Sequence, residues 1–311
     1  MDVTWRIRGR TITITRPFVL GILNVTPDSF SNGGLFATRE AAVAHAERMV
    51  EEGADGIDIG GESTRPRAYE VSAAEEIRRV VPVVAGVRAR YVDLPISVDT
   101  SKSEVARAAL DSGADIINDV SAFRLDRRMG DIVAEHVAGV ILMHSRGGVA
   151  EMGTYQFAEY GHDVVDEVVS ELSVAITSAK ATGVASDAIV VDPGIGFAKR
   201  SEDSLRVLAG LPRITALGFP VMVGVSRKRF VGELSRVDKP ADRVAGSVGA
   251  NVTALLRGAR LFRVHDVAPN RQALDVARAI EDARRPPGEL SVPPDSHLPG
   301  FAGRPPIPDS R

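Results

Sequence analysis

Runs of valine, isoleucine and leucine recur along the chain at residues 19–25, 56–59, 95–98, 116–120, 139–143, 188–191, 220–225 and 261–264. Most are continuous rather than alternating, which is the pattern of parallel strands covered on both faces. Between them lie amphipathic stretches that predict helices. Thr38 is placed to cap one whose Val43, Ala46 and Val50 share a face. Others are predicted over 73–90, 102–112, 127–135, 161–182, 201–211, 242–257 and 270–285. Three joints repeat: Gly53-Ala54-Asp55, Gly113-Ala114-Asp115 and Gly258-Ala259-Arg260 each close a helix and lead into a strand. Glycine suits that place because the residue after a helix turns left-handed, which strains a residue bearing a Cβ. Eight strand–helix units with short returns predict an α/β fold, a single (β/α)8 TIM barrel over residues 17–285. A doubly wound open sheet is the competing architecture. Ahead of the barrel, Trp5, Ile7, Ile12 and Ile14 alternate around Gly9-Arg10, so residues 1–16 are expected to form a β-hairpin at its N-terminal end.

The pattern stops at residue 286. The last 26 residues carry eight of the 18 prolines, few aliphatics and no helical period. Such a segment buries too little apolar surface to offset its ordering entropy, so 286–311 is expected to be a disordered, Pro-rich tail. Over the whole chain 38 basic residues face 41 acidic ones, a net charge of −3 that gives no reason to expect a nucleic acid or membrane partner. There is no cysteine, which excludes disulfides, thiolate metal sites and cysteine nucleophiles. The first residues lack the apolar core of a signal peptide, and no run of 18 apolar residues occurs. A soluble, cytoplasmic protein is the expectation.

In a barrel, chemistry gathers at the C-terminal ends of the strands. Here those ends carry Asn24, Gly60-Gly61-Glu62-Ser63-Thr64-Arg65-Pro66, Asp99, Asn118-Asp119, His144, Asp192, Ser226-Arg227-Lys228-Arg229, and Arg263 with His265-Asp266. Taken singly, an Asp after a strand is more often a helix cap than a ligand, and Asp119 fits a cap best. His144 alone fits a satisfied buried histidine, and the Ser226–Arg229 run alone a solvated basic turn. Their coincidence at one mouth favours a site. Asp99, Asn118 and Asp192 offer acceptors and a donor for the polar edge of a flat heterocycle. Arg65, Lys228, Arg263 and His265 gather positive charge, and with Asn24 as an oxygen ligand a Mg²⁺-associated phosphate or diphosphate is the natural occupant. No G-x-S-x-G elbow, HExxH motif, Walker A loop or paired-histidine spacing is present.

With these residues assembled, the chain resembles the dihydropteroate synthases, the folate-pathway enzymes that sulfonamides inhibit. The resemblance runs from about residue 17 to 285. It rests on GILNVTPDSFSNGG at 21–34, GIDIGGESTRP at 56–66, ISVDTSK at 96–102, INDV at 117–120, LMH at 142–144, VDPGIGF at 191–197, SRKRFVG at 226–232 and RVHDV at 263–267. It implies a (β/α)8 barrel, assembled as a homodimer, that joins 7,8-dihydropterin-6-ylmethyl diphosphate to 4-aminobenzoate with Mg²⁺ and releases diphosphate. By the same resemblance Asp99, Asn118, Asp192 and Lys228 hold the pterin, with Phe197 and Ser226 as walls. Asn24, Arg263 and His265 take the diphosphate, with Asn24 on the metal. Loops carrying Thr26, Pro27, Phe30, Ser63, Thr64, Arg65 and Pro66 close over the site, and Phe30, Arg65, Pro66 and Lys228 form much of the aminobenzoate pocket. The catalytic set implied is Asp99, Lys228, Arg65, Arg263 and His265.

Three positions depart from the family pattern: Arg67 and Ala198 replace glycines, and Ser145 follows LMH where a hydrophobic residue is usual. Arg67 puts aminobenzoate and sulfonamide affinity in question, whereas Ala198 is expected to matter little. Two other activities fit parts of the pattern: a pterin-binding paralogue without catalysis, and a methyltetrahydrofolate-dependent corrinoid methyltransferase. The latter would not need the STRP, SRKR and RVHD motifs that this chain carries.

Overall fold

A computed structural model describes residues 3–25, 35–63 and 70–283. The predicted tail and the loop residues Thr26, Pro27, Phe30, Thr64, Arg65, Pro66 and Arg67 lie outside the described residues.

Strands β1 (Val3–Ile7) and β2 (Arg10–Ile14) form the expected antiparallel hairpin. Its turn is at Arg8 and Gly9, both at positive φ. Strands β3 (Phe18–Asn24), β4 (Gly56–Gly60), β5 (Ile96–Asp99), β6 (Ile116–Asp119), β7 (Gly139–Met143), β8 (Ile189–Asp192), β9 (Met222–Val223) and β10 (Leu261–Val264) make a parallel sheet ordered β8-β7-β6-β5-β4-β3-β10-β9. A parallel bridge between Val191 and Val221 joins its two ends. That closure makes a barrel and removes the open sheet from consideration.

The helices are α1 (Leu35–Glu51), α2 (Ala73–Arg90), α3 (Ser103–Asp111), α4 (Met129–Glu135), α5 (Val149–Met152), α6 (Val164–Ala181), α7 (Ser201–Ala209), α8 (Leu211–Thr215), α9 (Arg229–Ser235), α10 (Val244–Leu256) and α11 (Val267–Asp282). Several bounds differ from expectation, each for a local reason. Thr38 lies inside α1 rather than capping it. Helix α6 starts after its cap Asp163, whose carboxylate accepts from the backbone N–H of Val165 and Asp166. The helix predicted over 201–211 breaks at Gly210, because Pro212 has no N–H to continue the first ladder and sits instead in the first turn of α8. The three repeated joints hold: Gly53, Gly113 and Gly258 sit at φ +99°, +112° and +103°.

Inside the barrel the side chains alternate between layers. Leu20, Ile116, Ile141, Val190, Met222 and Leu261 pack together, and Trp5 and Ile7 of the hairpin close them from below. Trp5 Nε1 donates to the carbonyl of Ala188 at 2.9 Å, which fixes the hairpin to the barrel floor. Period-two alternation then places the next inward layer two residues further along each strand. There Asn118, Asp192 and Arg263 stand two residues beyond Ile116, Val190 and Leu261, and Asn118 and Arg263 both bond to Asp58 of β4. An apolar floor below a charged upper layer positions the site.

Candidate active site

Arg263 on β10 organises one wall. Its Nε donates to Asp58 Oδ2 at 2.5 Å and its Nη2 to Asp99 Oδ2 at 2.6 Å. Asn118 Nδ2 donates to the same Asp58 oxygen at 3.1 Å. Burial pushes the Asp99 carboxyl up to about 7; Arg263 opposes that shift and Asp58 reinforces it. Burial works against the Arg263 charge, but its two carboxylates outweigh this and raise its pKa. Asp58 Oδ1 and Asn118 Oδ1 are buried with no hydrogen-bond partner among the described residues. Buried acceptors without donors are costly, and a ligand's N–H groups would satisfy them.

The opposite wall follows β8 and β9. Asp192 is 3% exposed and accepts from the Gly194 backbone N–H at 2.7 Å through Oδ1. Burial raises its pKa against the pull of Gly194, Lys228 and Arg263. Lys228 Nζ lies 3.9 Å from the centre of the Phe197 ring and donates to the Ile195 carbonyl. Burial lowers the Lys228 pKa to about 7, with Asp192 opposing. A Cβ at Gly224 would stand 3.9 Å from both Asp192 Oδ2 and Arg263 Cβ, so the glycine leaves the two walls open to each other.

At the rim, Ser226 Oγ accepts from the His265 backbone N–H at 3.1 Å and lies 3.0 Å from its ring Nδ1. Asn24 ends β3 beside Gly60, where an added Cβ would meet Asn24 Oδ1 and Asp99 Cβ at 3.6 Å. Asn24, Asp99, Asn118, Asp192, Phe197, Ser226, Lys228, Arg263 and His265 therefore sit at the C-terminal end of the barrel, as expected. Ser63 lies just beyond β4.

Other sequence-stretch readings resolve individually. Asp119 is a local cap: its carboxylate accepts from Ser121 and Phe123 backbone N–H groups. The Ser226–Arg229 run is no solvated basic turn, since Arg227 pairs in a fork with Asp266 (2.9 and 2.5 Å) and Lys228 turns inward. Ala198 matters more than expected: it holds φ +45°, a left-handed conformation that costs a residue with a Cβ roughly 1 kcal/mol or more. Two charged groups escaped sequence reasoning. Asp58 is fully buried inside a strand, and the signal was a carboxylate in the otherwise apolar run 56–60. Lys199, 1% exposed, gave no signal, because a lysine after a glycine-rich turn reads as solvated.

Fold and site together define a (β/α)8 barrel enzyme built to hold a flat, polar heterocycle. The sequence profile of the pterin binding enzyme family matches residues 20–265, and the chain belongs to that family. It is 43% identical over 265 residues to the dihydropteroate synthase of Synechocystis, covering 85% of this chain and 90% of that one. Among solved structures, Xanthomonas albilineans dihydropteroate synthase with 4-aminobenzoic acid superposes with a TM-score of 0.83 at 48% identity, covering 90% of this chain and 99% of that one. The same enzyme in complex with 7,8-dihydropteroate gives a TM-score of 0.79 at 47% identity, covering 89% and 98%.

Proposed function

We propose that this chain condenses 7,8-dihydropterin-6-ylmethyl diphosphate with 4-aminobenzoate to give 7,8-dihydropteroate and diphosphate. The observation that carries the proposal is the convergence of Asp99, Asn118 and Asp192 with Lys228 and Arg263 on the barrel axis. Asp99, Asn118 and Asp192 would take the amino-pyrimidine edge of the pterin through parallel hydrogen bonds, and Lys228 would lie over it. The C–O bond to diphosphate breaks, leaving cationic character on the pterin methylene that the Asp99 carboxylate offsets. Arg263 and His265 would stabilise the departing anion. The neutral aniline nitrogen forms the new C–N bond and then loses one proton. No protein nucleophile takes part. The loops bearing Thr26, Pro27, Phe30, Ser63, Thr64, Arg65 and Pro66 would exclude water, which competes for the cation.

Mg²⁺ fits as cofactor on the donor chemistry. No group of three His, Asp or Glu side chains built for a metal occurs among the described residues. Mg²⁺ that keeps its waters and takes phosphate oxygens needs only one or two protein oxygens, and the Asn24 amide offers one. Bound there, the ion would supply charge neutralisation for the leaving diphosphate.

The same proposal extends to a cytoplasmic homodimer. No helix among the described residues is long and apolar enough to cross a membrane. An apolar groove of about 400 Å³ between α7, α9 and α10 is lined by Leu205, Leu208, Phe230 and Leu234, and Leu234 is 63% exposed. A second copy is the proposed occupant. Leu234→Glu is expected to halve the mass seen by light scattering, and an unchanged dimer would move the interface elsewhere.

The function is tested by measuring diphosphate release with pterin diphosphate, 4-aminobenzoate and Mg²⁺, omitting each in turn. Release that needs both organic substrates and yields dihydropteroate is the expected result. Tight pterin binding without release would overturn it in favour of a non-catalytic pterin-binding protein.

A further inference from the structure

Behind the Asp192 wall lies a buried cation for which the proposed reaction has no use. Lys199 is 1% exposed, and burial lowers its pKa to about 7 against the pull of Asp192, so its charge at neutral pH depends on a full set of acceptors. Its Nζ is 2.8 Å from His144 Nδ1, 3.2 Å from the Gly194 carbonyl and 3.2 Å from the Phe197 carbonyl. Three protons thus meet three acceptors, if His144 presents a lone pair at Nδ1. The far side of the ring settles that. His144 Nε2 lies 3.0 Å from a Glu171 carboxylate oxygen, and a carboxylate accepts only, so Nε2 carries the ring proton. Arg146 holds the same carboxylate, with Nε 3.1 Å from its other oxygen. Burial and the adjacent Lys199 lower the His144 pKa to about 4, which keeps the ring neutral and able to accept.

The two carbonyls that Lys199 holds are the ends of the turn 194–197. That turn does three things for the pterin site. It gives the Gly194 N–H to Asp192, the Ile195 carbonyl to Lys228, and the Phe197 ring to the underside of the same ammonium. It also packs without slack: a Cβ at Gly194 would fall 1.8 Å from the His144 carbonyl oxygen, and one at Gly196 3.0 Å from Lys228 Cδ. A turn this close to both neighbours transmits any shift of its ends directly to Lys228 and Asp192.

We propose that Lys199, backed by His144 and Glu171, is a positioning residue for the pterin half of the reaction, locking the 194–197 turn so that Asp192, Phe197 and Lys228 meet the pterin in one fixed arrangement. The proposal rests on the assignment of Asp192 and Lys228 to the pterin. Lys199 itself touches no substrate. Asp192 and Phe197 serve the pterin alone and Lys228 borders both substrates, so the influence of Lys199 falls mainly on the pterin, which a general structural role would not produce.

Lys199→Met removes the charge and all three donors at similar length. The variant is expected to raise the Kd for pterin diphosphate, measured by calorimetry, and its KM at least tenfold, while the KM for 4-aminobenzoate rises by a several-fold smaller factor. Combined with Lys228→Met, the loss of pterin affinity should be well short of the product of the single effects, because Lys199 acts through Lys228 and its turn. Lys199→Gln, which keeps two N–H donors, should recover part of the affinity. Should Lys199→Met fail to fold, Lys199→Gln and Glu171→Ala carry the same comparison. Equal shifts in both KM values, no shift in pterin affinity, or multiplicative effects with Lys228→Met would each overturn the proposal. Pterin binding by the unaltered chain without turnover would overturn the reaction alone and leave the Lys199 comparison standing. Absence of pterin binding by the unaltered chain would overturn both.

Discussion

Asp99→Asn should lower turnover about 100- to 1,000-fold while the chain still folds, the scale on which a group aimed at developing charge usually contributes. The carboxylate ends β5 against Arg263, and burial pushes its pKa up to about 7. An amide of the same shape keeps a hydrogen bond to the guanidinium and removes the negative charge that offsets the cationic pterin methylene. Steady-state kinetics checks this, and unchanged turnover would remove Asp99 from the mechanism. The same variant has a stability signature. From its ordinary value of 3.8 up to about 7, the folded chain holds a proton on Asp99 that the unfolded chain has lost. The folded state then binds more protons, so this group's contribution to stability falls as pH rises through that window. Asparagine has no proton to lose. Asp99→Asn should therefore gain on the unaltered chain between about pH 4 and 7, by at most about 1.4 kcal/mol per pH unit, and show no such gain below pH 4. Urea unfolding of both chains across that range reads the difference, and a fall with rising pH in the stability of the variant relative to the unaltered chain would contradict the raised pKa.

Asp58→Ala is expected to cost about 3–5 kcal/mol of stability, the usual result of removing one partner of a buried ion pair. Asp58 Oδ2 takes both Arg263 Nε and Asn118 Nδ2, so the truncation leaves a buried guanidinium half paired and an amide donor without its acceptor. Turnover should fall as well, because Arg263 and Asn118 both face the proposed substrate from this anchor. Asp58→Asn separates the two effects: it preserves the shape and an acceptor for Arg263, so stability should recover more than turnover. Denaturant midpoints with kinetics on both variants check this. A loss below about 1 kcal/mol for the alanine variant would show that Asp99 alone suffices to hold Arg263.

How much of this was legible in the chain depends on the range of the interaction concerned. The continuous aliphatic runs and the glycines at 53, 113 and 258 specified strands, helices and their joints, because those signals act over a few residues through backbone sterics and burial. The motifs at the strand ends likewise named Asn24, Asp99, Asn118, Asp192, Ser226, Lys228, Arg263 and His265, since period-two alternation and the barrel's polarity place strand ends at one mouth. Helix bounds slipped where a single proline or cap outweighed periodicity, as at Pro212 and Asp163.

What only the tertiary structure decided is which charges meet. Asp58 and Arg263 stand 205 positions apart in the chain, and His144 and Lys199 55 apart. Neither pair leaves a local trace. The sequence marked Arg263 as a phosphate ligand without its carboxylate partners, and it assigned Lys199 no role. The closed barrel brings Arg263 of β10 within reach of Asp58 on β4 and Asp99 on β5 and places the turn after β8 against the end of β7, and that proximity gives each buried cation its acceptors. Hydrophobic patterning sets an element's own face, whereas the partner of a buried charge is set by the geometry of every strand around the ring.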